Sequence, residues 1–151
     1  MSGGAGQKRN MATTKPLIAV VDDDPSVVKS IARALRLDGY EVATFGSGRE
    51  FLGAVSTSLP RCLVLDVHMP VMNGFELQDQ LAAEGISLPI IFVTAHDTPQ
   101  TRARAQRTGS SGFFLKPFDP KALSKAIGEA VSCQPHGGGI SGNQARSTAG
   151  Q

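Results

Sequence analysis

Polar residues with complementary chemistry stand at the ends of short apolar runs in this chain. Asp22-Asp23-Asp24 follows LIAVV, Asp66 follows CLVL, Thr94 follows PIIFV and Lys116 follows GFFL. If those runs are neighbouring parallel strands, their carboxyl ends share the edge where open α/β sheets bind ligands. Three carboxylates, a hydroxyl and an ammonium then converge on that edge. Two carboxylates about 4 Å apart repel by roughly 4 kcal/mol at an effective dielectric of 20. No core needs such an arrangement, so something must compensate it. A divalent cation does, and an all-oxygen donor set favours Mg²⁺ or Mn²⁺ over zinc. Lys116 adds a further positive charge. Asp24 stands apart, because Asp24-Pro25 at the mouth of an apolar-periodic segment reads as a helix N-cap followed by proline at the first helical position. Asp66 has no such local role, since His68-Met69-Pro70 interrupts helix geometry before Gly74.

The elements that must position these residues are legible as alternating patterns. Strands are expected at LIAVV (17–21), EVATF (41–45), CLVL (62–65), PIIFV (89–93) and GFFL (112–115). Three of the runs are nearly continuous in Val, Ile, Leu and Phe, as strands buried on both faces of a parallel sheet should be. Between them the spacing turns helical. Val27, Val28, Ile31, Ala34 and Leu35 form one stripe, and Ala122, Leu123, Ala126, Ile127, Ala130 and Val131 another. Ser47 and Glu50 have the spacing of a capping box, and Gly39, Gly85 and Gly109 stand where helices should end. Five successive β-α units predict an α/β fold, an open doubly wound sheet with helices on both faces.

Composition bounds the rest. The chain has 151 residues, enough for one domain, and its 15 Lys+Arg against 13 Asp+Glu leave a charge of only +2. Bulk charge therefore gives no argument for nucleic acid or a membrane surface. No apolar stretch approaches the roughly 18 residues of a membrane helix, and residues 1–16 lack the apolar core of a secretory signal. Cys62 and Cys133 lie far apart without metal-site spacing, which predicts a reducing, cytoplasmic setting. Residues 1–15 read as a disordered arm, 134–151 as a flexible Gly-rich tail, and 16–133 as the single domain.

VVDDDPSV, LVLDVHMPVMNG, FVTA and FFLKPF, in this order, resemble the receiver domain of two-component response regulators. The resemblance covers about 17–132, and implies a flavodoxin-like sheet of order 2-1-3-4-5 with five helices. It further implies that Asp66 is the phosphoacceptor for a phosphohistidine on a sensor histidine kinase or phosphotransfer protein. Asp22, Asp23, Asp66 and the backbone carbonyl of His68 are implied as the Mg²⁺ ligands, with Mn²⁺ as an alternative ion. Lys116 and Thr94 are implied as catalytic groups on the phosphoryl oxygens, Thr94 and Phe113 as the switch pair, and Lys116-Pro117 as a cis peptide. His68 and His96 occupy the variable positions that tune hydrolysis. Family receivers often carry tyrosine where Phe113 stands. The implied role is a phosphorelay switch that catalyses its own phosphorylation and slow dephosphorylation, not a turnover enzyme.

Output is expected on the face of helix 4, strand 5 and helix 5, where a downstream protein would dock without direct contact to nucleic acid. Between Asp97 and Thr108 the apolar residues besides Pro99 are Ala103 and Ala105, so helix 4 should be the loosest in the domain. Arg102, Arg104 and Arg107 there, with Lys121 and Lys125 on helix 5, read as a solvated basic face, or more sharply as a docking patch for an acidic partner. A stand-alone regulator or shuttle is the first expectation, and the receiver fragment of a longer regulator or hybrid kinase the second. A Mg²⁺-dependent aspartyl phosphohydrolase is a different class, in which His68 would have to serve as the acid. A flavin binder is disfavoured, because the aspartates after strand 1 would repel a phosphate.

Overall fold

The computed structural model describes residues 15–133. The arm and tail expected at 1–15 and 134–151 lie outside the described residues, apart from Lys15. Strand β1 (Leu17–Val21) leads into helix α1 (Pro25–Leu37), then β2 (Glu41–Phe45) and α2 (Gly48–Val55). Next come β3 (Cys62–Asp66), α3 (Gly74–Ala83), β4 (Ile90–Thr94), α4 (Pro99–Arg107), β5 (Gly112–Leu115) and α5 (Pro120–Cys133). The five strands form one sheet of order β2-β1-β3-β4-β5, with every neighbouring pair parallel. This is the doubly wound architecture expected from the alternation of patterns.

Alternate residues of each strand feed opposite faces. Ala19, Val21, Leu63, Leu65 and Phe92 pack with Phe51, Phe75 and Leu81 from α2 and α3. Ile18, Val20, Val64, Ile91 and Val93 pack with Ile31 and Leu35 of α1 and with Leu123 and Ile127 of α5. The central strands β3 and β4 are buried throughout, which explains their unbroken apolar runs, whereas β2 and β5 at the edges are partly exposed. Cys62 is a core residue, and burial pushes its thiol up to about 12, far from a reactive thiolate. Among the described residues, no helix is long and apolar enough to cross a membrane.

The helix ends follow their sequence signals with one correction. Asp24 caps α1, its side chain accepting the Ser26 N–H at 3.0 Å with Pro25 in the first turn. Gly39, Gly85 and Gly109 all have positive φ after α1, α3 and α4. The capping box at Ser47 and Glu50 is only half formed. Ser47 accepts the Glu50 N–H, but the Glu50 carboxylate takes the N–H of Gly46, one residue further out. The complete reciprocal box lies instead at Asn73 and Glu76, opening α3. Next to it, Gly74 cannot carry a side chain, because a Cβ would lie 2.6 Å from the carbonyl oxygen of Asp66. That close approach seats α3 directly beneath the end of β3.

Candidate functional site

The site is built where β1, β3, β4 and β5 end. Asp22 follows β1 and is buried, its backbone N–H bonded to the Phe45 carbonyl at 3.1 Å. Asp23, the next residue, is exposed, while Asp66 at the end of β3 is 3% exposed. One carboxylate oxygen from each of the three lies within 4.8 Å of the others. The structure thus places Asp22, Asp23 and Asp66 together, whereas Asp24 lies outside the cluster and caps α1.

Lys116 reaches this cluster from the end of β5, across the cis peptide Lys116–Pro117. Its ammonium lies 2.7 Å from Asp22 Oδ2 and 3.5 Å from Asp66 Oδ1. Asp22 is thus the closer partner, and its other oxygen accepts the Asp24 N–H at 3.0 Å. This fixes Asp22 from both sides, and with it the position of Lys116. Burial works against the Lys116 charge, but the hydrogen bond to Asp22 and the fields of Asp66 and Asp22 outweigh it and raise its pKa.

Asp66 is the electrostatically stressed member. Burial, followed by the charge of Asp22, raises its carboxyl to about 7, despite the opposing pull of Lys116 and of the His68 N–H. That N–H donates to Asp66 Oδ1 at 3.4 Å. Three carboxylates facing one ammonium leave net negative charge in a partly desolvated pocket. A hard divalent cation fits this donor set, since every side-chain donor is oxygen and the unbalanced charge is negative.

Thr94 ends β4 fully buried. Its hydroxyl donates to the His96 carbonyl at 3.2 Å and accepts the His96 N–H at 3.0 Å. Phe113 pairs in register with Phe92 on the neighbouring strand and is half-buried against the core. His68 and His96 meet each other at the mouth, with ring centroids 5.4 Å apart and planes near perpendicular at 82°. Both histidines are exposed.

A family model for the response regulator receiver domain matches residues 18–128. The chain belongs to this family. Nodulation protein W of Bradyrhizobium diazoefficiens is 42% identical over 117 residues, covering 77% of this chain and 51% of that protein. The response regulator protein TodT of Pseudomonas putida is 36% identical over 127 residues, or 84% of this chain and 56% of TodT. The receiver therefore spans about half the length of the curated relatives it matches. The solved response regulator receiver protein from Burkholderia phymatum is similar with a TM-score of 0.70 at 40% identity, across 78% of this chain and 96% of that one.

Two features of the receiver were not read from its sequence. Arg102 and Arg104, expected as a solvated face or a docking patch, each lie over an aromatic ring, Arg102 at 4.8 Å from the Phe113 centroid and Arg104 at 4.7 Å from that of Phe75. The Asp97 carboxylate holds Arg102, and its place just before the Thr98 cap of α4 was the available signal. Val71, five residues after Asp66, has φ 69° and is 86% exposed. A β-branched residue in that region is strained, and only the tight Pro70–Met72 turn, with a Met72 N–H to Pro70 carbonyl bond of 2.7 Å, accounts for it.

Proposed function

We propose that this receiver is a Mg²⁺-dependent phosphoacceptor switch, with Asp66 taking a phosphoryl group from a phosphohistidine on a sensor histidine kinase or phosphotransfer protein. The observation that carries this reading is the Asp66 carboxyl, buried at a strand end between Lys116 and two further carboxylates. In the transfer, an Asp66 oxygen attacks phosphorus and the N–P bond to the imidazole breaks. An acyl phosphate forms, and the departing imidazole takes up a proton from solvent. Lys116 holds positive charge beside the incoming phosphoryl oxygens. Asp22, Asp23, Asp66 and the His68 carbonyl would hold Mg²⁺, or Mn²⁺, which supplies charge neutralisation to the phosphoryl group. Catalysis by the chain is then positioning and electrostatics, without turnover.

Thr94 answers the new charge by turning its hydroxyl onto a phosphoryl oxygen, and Phe113 follows into the space behind it. The face of α4, β5 and α5 changes with them and presents the altered surface to an output protein in the cytoplasm. Residues 16–133 are the receiver unit in this reading. It acts alone or as part of a longer regulator or hybrid kinase, and the partial coverage of Nodulation protein W and TodT supports the second arrangement.

Acetyl phosphate with Mg²⁺ is expected to give a single adduct on Asp66, seen by intact mass and absent from Asp66→Asn. Sustained phosphate release without an adduct would instead support the phosphohydrolase reading. The paired imidazoles at the mouth suggest a role in adduct lifetime, because rings in mutual contact narrow the path of an in-line water. His68→Ala and His96→Ala are each expected to speed loss of phosphate from Asp66 several-fold. Unchanged lifetimes in both variants would remove the histidines from the mechanism.

A further inference from the structure

An unbroken set of contacts runs from the end of β4 to the ring of Phe113. Through its two bonds to His96, the buried Thr94 hydroxyl fixes the backbone that leads into α4. The next residue, Asp97, grips Arg102 at two points, Oδ1 accepting from Nε at 3.2 Å and Oδ2 from a terminal guanidinium nitrogen. Such a fork fixes the orientation of the guanidinium as well as its distance. Arg102 is thereby laid over Phe113, within cation–π range. Helix α4 has little other hold on the domain, since Ala105 is its one buried residue. Its second attachment has the same form, with Arg104 over Phe75 and 3.6 Å from Asp79. Arginines on aromatic rings replace the apolar stripe that anchors an ordinary surface helix.

We propose that Asp97, Arg102 and Phe113 form a clasp that holds α4 in its resting position and is released from the phosphoacceptor site through Thr94 and His96. The proposal rests on Asp66 being that acceptor and names how its state reaches α4. The Thr94 hydroxyl has one proton, so it cannot donate to a phosphoryl oxygen while it donates to the His96 carbonyl. Turning toward Asp66 gives up the bond it donates to the His96 carbonyl and loosens the segment that carries Asp97. The fork on Arg102 then loses its fixed base, and the ring of Phe113 loses its cover. Without the clasp the receiver populates the released arrangement more, and a small donor that reacts with that arrangement labels it in proportion to its population. Arg102 is a positioning residue, which touches neither the carboxylate cluster nor Lys116.

The test uses the full chain with Mg²⁺ and phosphoramidate as a small donor, which needs no protein docking. Arg102→Ala is expected to be phosphorylated about fivefold faster than the wild type, a change equivalent to about 1 kcal/mol at 1.4 kcal/mol per tenfold. Asp97→Asn should shift the rate in the same direction. Arg102→Lys should fall between, because an ammonium keeps the charge but lacks the fork and the planar face. Hydrogen exchange supplies the second readout. Amides of α4 in unphosphorylated Arg102→Ala should exchange as fast as those of the wild type with Mg²⁺ and beryllofluoride. A residue that only packed the helix would raise exchange without accelerating phosphorylation. If Arg102→Ala and Asp97→Asn take phosphate at or below the wild-type rate, the clasp is overturned and Asp66 stands as acceptor. If the wild type takes none on Asp66, the phosphoacceptor reading fails, and the coupling with it.

Discussion

Replacing Asp23 with alanine is expected to abolish Mg²⁺ binding and phosphoryl transfer to Asp66 while leaving the fold intact. Asp23 is the exposed carboxylate of the cluster, and it contributes no hydrogen bond within the site among those identified. Asp22 is occupied differently, with Lys116 on one oxygen and the Asp24 N–H on the other. Removing Asp22 would therefore take away the shorter of the two ion pairs of Lys116 and disturb the site's geometry. Removing Asp23 would take away a proposed metal ligand and little else. Without the ion, the phosphoryl oxygens face the remaining carboxylates with only Lys116 to offset them. Loss of one preorganised stabilising group of this kind typically costs about 100-fold or more in rate. The charge of Asp23 also helps to push the Asp66 carboxyl upward, so its loss should leave thermal stability unchanged or higher. Calorimetric titration with Mg²⁺, acetyl phosphate labelling and a melting curve check the three parts. Normal labelling of Asp23→Ala, with or without chelator, would sink the metal assignment.

The contrast between Asp22 and Asp23 marks the boundary of what the sequence discloses. Adjacent aspartates after an apolar strand announce a carboxylate cluster, because strand ends converge and like charges need a reason to meet. Which of them Lys116 bonds depends on backbone geometry beyond the strand, and no spacing rule contains it. The same holds for the strands themselves. CLVL and PIIFV were legible as strands because burial on both faces removes every polar residue, and the observed strands run on to Asp66 and Thr94. Arg102 shows the opposite case. On a helix with hardly an apolar side chain, arginines read as solvated, and only the tertiary position of Phe113 and Phe75 turns them into anchors. Likewise, the Ser47–Glu50 spacing was real, but the nearest donor for the Glu50 carboxylate belonged to Gly46. Local patterns identify which groups seek partners, and packing decides which partners they meet.

The stress on Asp66 predicts a pH dependence that separates wild type from Asp66→Asn in the absence of divalent ions. In the unfolded chain this carboxyl has its ordinary value of 3.8, whereas burial and the charge of Asp22 raise it to about 7 in the folded state. Between those values the folded state binds the proton and the unfolded state does not. Stability therefore falls as pH rises through this window, and levels off above it. Asparagine mimics the neutral carboxyl at every pH. The two proteins should be similar near pH 4, with Asp66→Asn gaining steadily toward pH 8. Discounted for solvent screening of a site open at its mouth, the advantage should reach on the order of 2 kcal/mol. Taking the difference between the proteins cancels the titration of carboxylates outside the cluster, which acts in both. Saturating Mg²⁺ should narrow the gap at pH 8, because it binds the folded wild type more tightly than a site short of one carboxylate. Urea unfolding at intervals from pH 4 to 8, with chelator and then with Mg²⁺, measures both effects. A stability difference independent of pH would mean that Asp66 is already ionised at low pH, and that Lys116 alone balances the cluster.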